Sequence, residues 1–331
     1  MPIEWDKPKK NMVEAISQAH YVAMKSDETV VCLGEDVGVD GGVFRATDGL
    51  IDQFGEERVM DTPLAEAMIV GFSIGMALAG LKPVCEMQFS GFIYQAFHQI
   101  EQHMSRIRQR TRGTFGVPMV CRAPYGGGIR ALEHHSESRE AYFAHTPGLK
   151  MVIPSTPYDA KGLLLAAIQD PDPVIFYEPK RLYRAYREEV PLDWYEVPIG
   201  EAVVRREGKD ITLISWGACM QDCQNAIEIL DKEGVQAELI DVRTISPLDT
   251  ETLLKSVKKT QRCVIVHEAP SSFGPGAEMA ARLQEKAFLY LKAPIRRVAG
   301  YDVHVPYFTQ EMLYLPTPGK VVNTVREVLS Y

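Results

Sequence analysis

The sequence predicts an α/β protein of two domains, each built on a parallel sheet with helices on both faces in three layers. Three observations carry that reading. Short β-branched apolar runs alternate with helix-length amphipathic segments, the pattern left by strands joined through crossover helices. The alternation lapses once, through the charged and proline-punctuated residues 184–198, and then resumes. A chain of 331 residues, 46% of them hydrophobic, also carries more apolar material than a single core comfortably holds. Together these place a first domain at 1–190, a linker at 191–205 and a second domain at 206–331.

The candidate strands of the first domain are 30–33, 83–87, 119–122, 151–153 and 174–177; those of the second are 211–215, 237–241 and 263–267. DTPLAE at 61–66 reads as a helix start, with Thr62 as N-cap, Pro63 at the first helical position and Glu66 in the opening turn. The apolar stretch 68–81 contains three glycines and falls short of the ~20 residues of a bilayer span, so a buried helix is expected. In open parallel sheets, functional residues collect in loops beyond the carboxyl ends of strands. Three such loops are rich in polar residues: 34–47 (GEDVGVDGGVFRAT), 61–66, and 123–138 (APYGGGIRALEHHSES).

Bulk properties exclude several functions. A net charge of −8 opposes a phosphate backbone, so no nucleic-acid partner is expected. The basic run Arg106, Arg108, Arg110 and Arg112 reads as a solvated or interface segment. The six cysteines lack framework spacing and read as reduced core residues; Cys219 and Cys223 could share a helix face, but no second pair or nearby histidine completes a zinc set. No membrane span is expected. The N-terminus MPIEWDKPKK has neither a signal core nor transit-peptide character, which points to the cytoplasm, or to the mitochondrial matrix if a presequence has been removed.

Candidate chemistry sits in the three loops. Taken alone, a carboxylate at Glu66 complements the helix dipole; beside so apolar a helix it needs a partner, and a ligand nitrogen is the alternative. His134 and His135, behind a loop made mobile by Gly126, Gly127 and Gly128, should diverge, so at most one faces a given site and moves protons there; solvent exposure is the alternative. Glu35 and Asp36 end the first strand, where a turn rich in Gly and Asp is the commonest way to leave a sheet and is the local reading. His267 and Glu268 (VIVHEAP) lack the second histidine of a zinc hydrolase helix.

Single motifs are weak here, but their order along the chain is not. GEDVG at 34–38, GGVFRAT at 41–47, DTPLAE at 61–66, EMQF at 86–89, HS at 135–136 and HTPGLKMVIPSTPYDAKGLL at 145–164 together resemble the beta subunits of 2-oxo acid dehydrogenases. The resemblance continues through PVIFYEPKRLYR at 173–184, DVRTISPLD at 241–249, VIVHEA at 264–269 and GYD at 300–302. It implies a pyrimidine-binding thiamine-enzyme domain followed by a transketolase-C-like domain. It implies, too, that Glu66 hydrogen-bonds the aminopyrimidine of thiamine diphosphate and promotes the imino tautomer that deprotonates the thiazolium carbon. Leu64, Gln88 and Phe92 would line the pyrimidine pocket, Phe92 stacking where some relatives have tyrosine. His135 would move protons in reductive acylation of a lipoyl group, and Glu35 would relay protons through a tunnel between paired cofactors. A structural potassium ion would rest on backbone groups of Met119, Ala167, Ile168, Asp170 and Asp172.

The sequence contains no Gly-Asp-Gly, the segment with which thiamine enzymes hold magnesium and the diphosphate. By the resemblance, an alpha chain supplies that half, in a heterotetramer of two alpha and two beta chains, and the second domain serves beta–beta contact and docking to the lipoyl acyltransferase. The implied reaction is oxidative decarboxylation of a small 2-oxo acid. FYEPKRLYR, HEAP and GYD favour the branched-chain type, with a pyruvate dehydrogenase as the alternative. A noncatalytic scaffold and an NAD-binding protein are remote; the latter lacks G-x-G-x-x-G at a strand-to-helix turn.

Overall fold

The structure, a computed structural model, describes residues 5–331. MPIE, the start of the stretch read for targeting signals, lies outside the described residues. The chain forms two compact units, Met1–Tyr125 with Tyr142–Ile199, and Gly126–Ala141 with Gly200–Tyr331. The segment carrying the paired histidines thus groups with the second unit, although its sequence position lies inside the span assigned to the first domain.

The first unit contains six parallel strands: β1 Val30–Gly34, β2 Val59–Asp61, β3 Lys82–Glu86, β4 Val120–Tyr125, β5 Lys150–Val152 and β6 Val174–Pro179. Their order across the sheet is β5-β6-β4-β3-β1-β2. β1, β4 and β6 are buried along their whole length, which is why they read as apolar runs broken only by Arg122 and Glu178. The helix Met12–Ser26 opens with a capping box in which Asn11 and Glu14 exchange bonds of 3.0 Å, and it packs on Pro157–Gln169, capped by Thr156.

The second unit holds β7 Val203–Arg206, β8 Ile211–Ser215, β9 Ala237–Asp241, β10 Cys263–Pro270 and β11 Arg296–Gly300, in the order β11-β10-β8-β9-β7. β7 alone is antiparallel, so this sheet is mixed. The helices Cys219–Lys232 and Pro318–Leu329 cover one apolar core built on Leu213, Leu239, Val264 and Val266. All six cysteines are buried, and among the described residues none is in a disulfide.

Two expectations require correction. The linker at 191–205 runs into β7, whose two valines followed by two arginines lie on a partly exposed edge and so do not read as a core strand. The helix in the 68–81 region, Glu66–Leu78, is buried on one face only: Ile69, Val70, Ile74 and Ala77 point inward, while Met68 and Phe72 are exposed. Its hydrophobicity marked it as a buried helix, but in the single chain Met68, Phe72 and Leu78 stay exposed.

Candidate active site

Strand order decides where a ligand crevice can open. β2 and β3 flank β1 on opposite sides, so the connections leaving β1 and β3 run apart and their carboxyl ends frame a cleft. Glu35 follows β1, Asp61 ends β2, and Gln88 lies just past β3. The Asp61 carboxylate accepts from the backbone N–H groups of Gly38 (2.6 Å) and Val39 (3.0 Å). A Cβ at Gly38 would stand 2.9 Å from Asp61 Oδ2, so only glycine allows that approach. Gln88 Nε2 donates to Asp36 at 3.1 Å.

The helix start differs from the sequence reading. Thr62 spends its N–H on the Gly34 carbonyl (2.9 Å), the chain stays out of the helix through Ala65, and Ala65 is the N-cap, with no side-chain capping bond. Thr62 and Pro63 therefore belong to the strand-end connection. Glu66 is the first helical residue, so its opening-turn position holds.

Glu66 is 3% exposed, and among the described residues no hydrogen bond or salt bridge reaches its carboxylate. Glu35 is also buried, and its Oε1 has no hydrogen-bond partner. Burial raises the Glu35 pKa, and the charges of Glu66 and Asp36 raise it further. The two acids therefore share one electrostatic site. Buried carboxylates without a donor or a cation are costly, and the arrangement suits a ligand that brings an N–H to them. Phe92 stands edge-on to Phe89 (6.0 Å, 90°), and Phe89 meets Phe44 the same way (5.6 Å, 75°). Leu64 is 77% exposed on the connection into the helix.

Beneath these loops the sheet carries a second acidic group, with the opposite character. Arg122 of β4 donates to Glu86 (2.9 Å) and twice to Glu178 (2.6 and 3.1 Å), and the Tyr183 hydroxyl donates to Glu178 (2.6 Å). His20 Nδ1 lies 2.8 Å from the Ile16 carbonyl and so carries the proton; Nε2, 3.4 Å from Arg122 Nη1, accepts. Burial, with Arg122 adding to it, lowers the His20 pKa to about 3. The sequence reading missed this network, although an arginine inside MVCRAP and a glutamate inside FYEP are the charges an apolar strand should not contain.

His135 lies in the second unit, in the single turn Glu133–Ser136. Its ring does not diverge from that of His134: although successive helical positions point apart, the two rings bend together, with centroids 4.0 Å apart at 45°. Nor are the preceding glycines a mobile tether. Gly126 and Gly127 are buried, the Gly127 N–H donates to Glu268 (2.8 Å), and the Gly128 N–H donates to Glu311. Glu140, past the histidines, accepts from Trp216 Nε1 (3.1 Å), and burial pushes its pKa up to about 7. Trp216 stacks on His267 (5.2 Å, 9°), whose pKa burial lowers to about 4.

Of the carbonyls assigned to potassium, that of Met119 accepts from Val174 N–H (3.0 Å) and that of Ala167 from Asp170 N–H (3.3 Å). Each keeps one lone pair. The Asp170 side chain receives Lys150 (2.7 Å), and that of Asp172 receives Arg108. Elsewhere in the basic run, Arg106 pairs with Glu101 and Arg110 with His103 (3.3 Å).

Residues 8–185 match the model of the transketolase pyrimidine binding domain, and residues 200–321 match that of the transketolase C-terminal domain. Similar chains include the pyruvate dehydrogenase E1 component subunit beta of Acholeplasma laidlawii, 52% identical over 96% of this chain and 97% of that one. The protein of the same name from Bacillus subtilis strain 168 is 46% identical over 97% and 98%. The chain belongs to the E1 beta subunits of 2-oxo acid dehydrogenases. A solved structure described as a split gene transketolase, inactive beta4 tetramer, superposes with a TM-score of 0.80 at 22% identity, over 97% of this chain and 98% of that one, and shares the fold. The E1 beta family is of the thiamine-diphosphate type, and the pyrimidine-binding match covers the unit that contains Glu35 and Glu66.

Proposed function

We propose that this E1 beta subunit serves a pyruvate dehydrogenase, holding the pyrimidine half of thiamine diphosphate while an alpha subunit holds magnesium and the diphosphate. The observation that carries the proposal is the pair of buried, unpaired acids at the β1–β3 crevice. Bound there, thiamine diphosphate supplies the nucleophilic carbon and the electron sink for decarboxylation. Glu66 accepts a charge-assisted hydrogen bond from the pyrimidine ring, which gives its buried charge a partner. Phe92 offers a ring face and Leu64 an apolar contact, while Gln88 stays fixed through Asp36. Glu35, held toward its neutral form, passes protons at the rim of the same site. His135 moves a proton as the acyl group reaches the lipoyl group of the acyltransferase.

The pyruvate reading replaces the branched-chain one for a physical reason as well as by the names of the relatives. Glu178 in FYEPKRLYR is committed to Arg122 and Tyr183, and Glu268 in HEAP is committed to Gly127. A Cβ at Gly300 of GYD would stand 2.4 Å from the Glu268 carbonyl oxygen. These motifs build scaffold and say nothing about the length of a substrate side chain. The heterotetramer, a cytoplasmic location and a potassium ion on the carbonyls of Met119, Ala167, Ile168, Asp170 and Asp172 complete the proposal. Among the described residues no helix is long and apolar enough to cross a membrane.

The test is turnover of the chain assembled with its alpha partner, thiamine diphosphate and magnesium. Pyruvate should exceed 3-methyl-2-oxobutanoate in kcat/KM by roughly 10-fold or more, the size of effect an apolar pocket achieves for a methylene or two. A preference for the branched acid would restore the other assignment.

A further inference from the structure

The histidine-bearing segment is pinned at both ends by acids of its own unit. Glu268, at the end of β10, accepts from Gly127 N–H (2.8 Å), and Ser138 Oγ lies 3.5 Å from the same oxygen. Glu311, in the turn Glu311–Tyr314, accepts from Gly128 N–H. Gly126 N–H donates to the Glu137 carbonyl (3.2 Å), closing the segment on itself, and Glu140 is held by Trp216. Glu268 and Glu311 are 6% and 1% exposed.

The glycines make this approach possible. A Cβ on Gly126 would lie 2.9 Å from Glu268 Oε2, and one on Gly127 would lie 3.0 Å from Leu315 and 3.2 Å from Glu311 Oε1. A single hydrogen bond would leave the peptide free to swing about it. Two bonds donated by consecutive N–H groups to acids on two separate elements fix both its position and its rotation. Burying two carboxylates for this is costly, and a loop that only needed closing could use neutral acceptors.

We infer that Glu268 and Glu311 are positioning residues for His135: they set the backbone that carries the ring and so govern acyl transfer to the lipoyl group more than decarboxylation. This rests on the reading of His135 given above. Misplacing a reacting group by ~1 Å costs on the order of 10²-fold in rate, which sets the scale of the effect.

The experiment uses the assembled enzyme and two rates: decarboxylation of pyruvate with an artificial electron acceptor, and acylation of a lipoylated domain. In E268A and E311A the ratio of lipoyl acylation to decarboxylation should fall by roughly 10- to 100-fold, and E268Q, which keeps an acceptor for Gly127 N–H, should recover most of it. Should E268A fail to assemble, E311A and E268Q carry the same comparison. An unchanged ratio, or an equal loss of both rates, overturns the positioning role. His135→Ala separates the two claims: if it leaves the ratio intact, the assignment of His135 fails. A collapsed ratio in H135A beside an intact one in E268A and E311A removes only the positioning role.

Discussion

The first unit buries two pairs of acids within one sheet and its loops, and it treats them in opposite ways. Glu86 and Glu178 converge on Arg122, with Tyr183 donating to the second and His20 kept neutral beside the guanidinium. Glu35 and Glu66 are buried at the β1–β3 crevice with no ion pair among the described residues, and burial, with the charge of Glu66 added to it, disfavours ionisation of Glu35. The first pair is complete within the chain and explains itself as scaffold. The second has no countercharge among the described residues, and in the proposed function its partner is the cofactor. Burial alone does not separate a structural acid from a functional one; whether the chain supplies the countercharge does.

The largest consequence falls on the completed pair. Replacing Arg122 by Ala leaves two carboxylates buried without their cation, and stability measured by urea unfolding should drop by about 3–5 kcal/mol. A loss under about 1 kcal/mol would mean that Glu86 and Glu178 do not need the guanidinium, and the contrast with Glu35 and Glu66 would disappear.

Glu140 is an intermediate case, an acid with a single neutral donor. Its folded pKa, about 7, lies above the ordinary value of 4.5. The stability it contributes is therefore fully present below pH 4.5 and is lost as pH rises through about 7. Glu140→Gln, neutral throughout, should flatten the fall in thermal stability between pH 5 and pH 8, by about 1–3 kcal/mol across that window. Glu35 is shifted in the same direction, so Glu35→Gln should act with the same sign and a smaller size. A steeper pH dependence in either variant would show that the native acid is stabilised in its ionised form.

Much of this was legible in the sequence, for identifiable reasons. Strands β8 and β9 match the expected residues 211–215 and 237–241 end to end, because a buried strand draws mainly on apolar residues, here Ile211, Leu213, Ile214, Leu239 and Ile240. β2 has only three residues and β11 opens with two arginines, so neither carries that signal. Glu66 stood out because its neighbours are so apolar. Thr62 misled because it resembles a cap, while its hydroxyl caps no N–H and the helix starts later, at Glu66. The anchors of the histidine segment were not readable at all: Glu268 and Glu311 lie far along the chain from Gly127 and Gly128, and nothing local to either end announces the other.

The most direct test of the account is the affinity of the assembled enzyme for thiamine diphosphate, titrated calorimetrically for the native chain and for Glu66→Ala. A lost charge-assisted hydrogen bond of about 1.5–3 kcal/mol predicts a Kd weaker by roughly 10- to 100-fold, with no loss of stability in the cofactor-free assembly. An unchanged Kd, or a cofactor-free assembly destabilised as strongly as by Arg122→Ala, would show that Glu66 is a scaffold acid like Glu86 and Glu178.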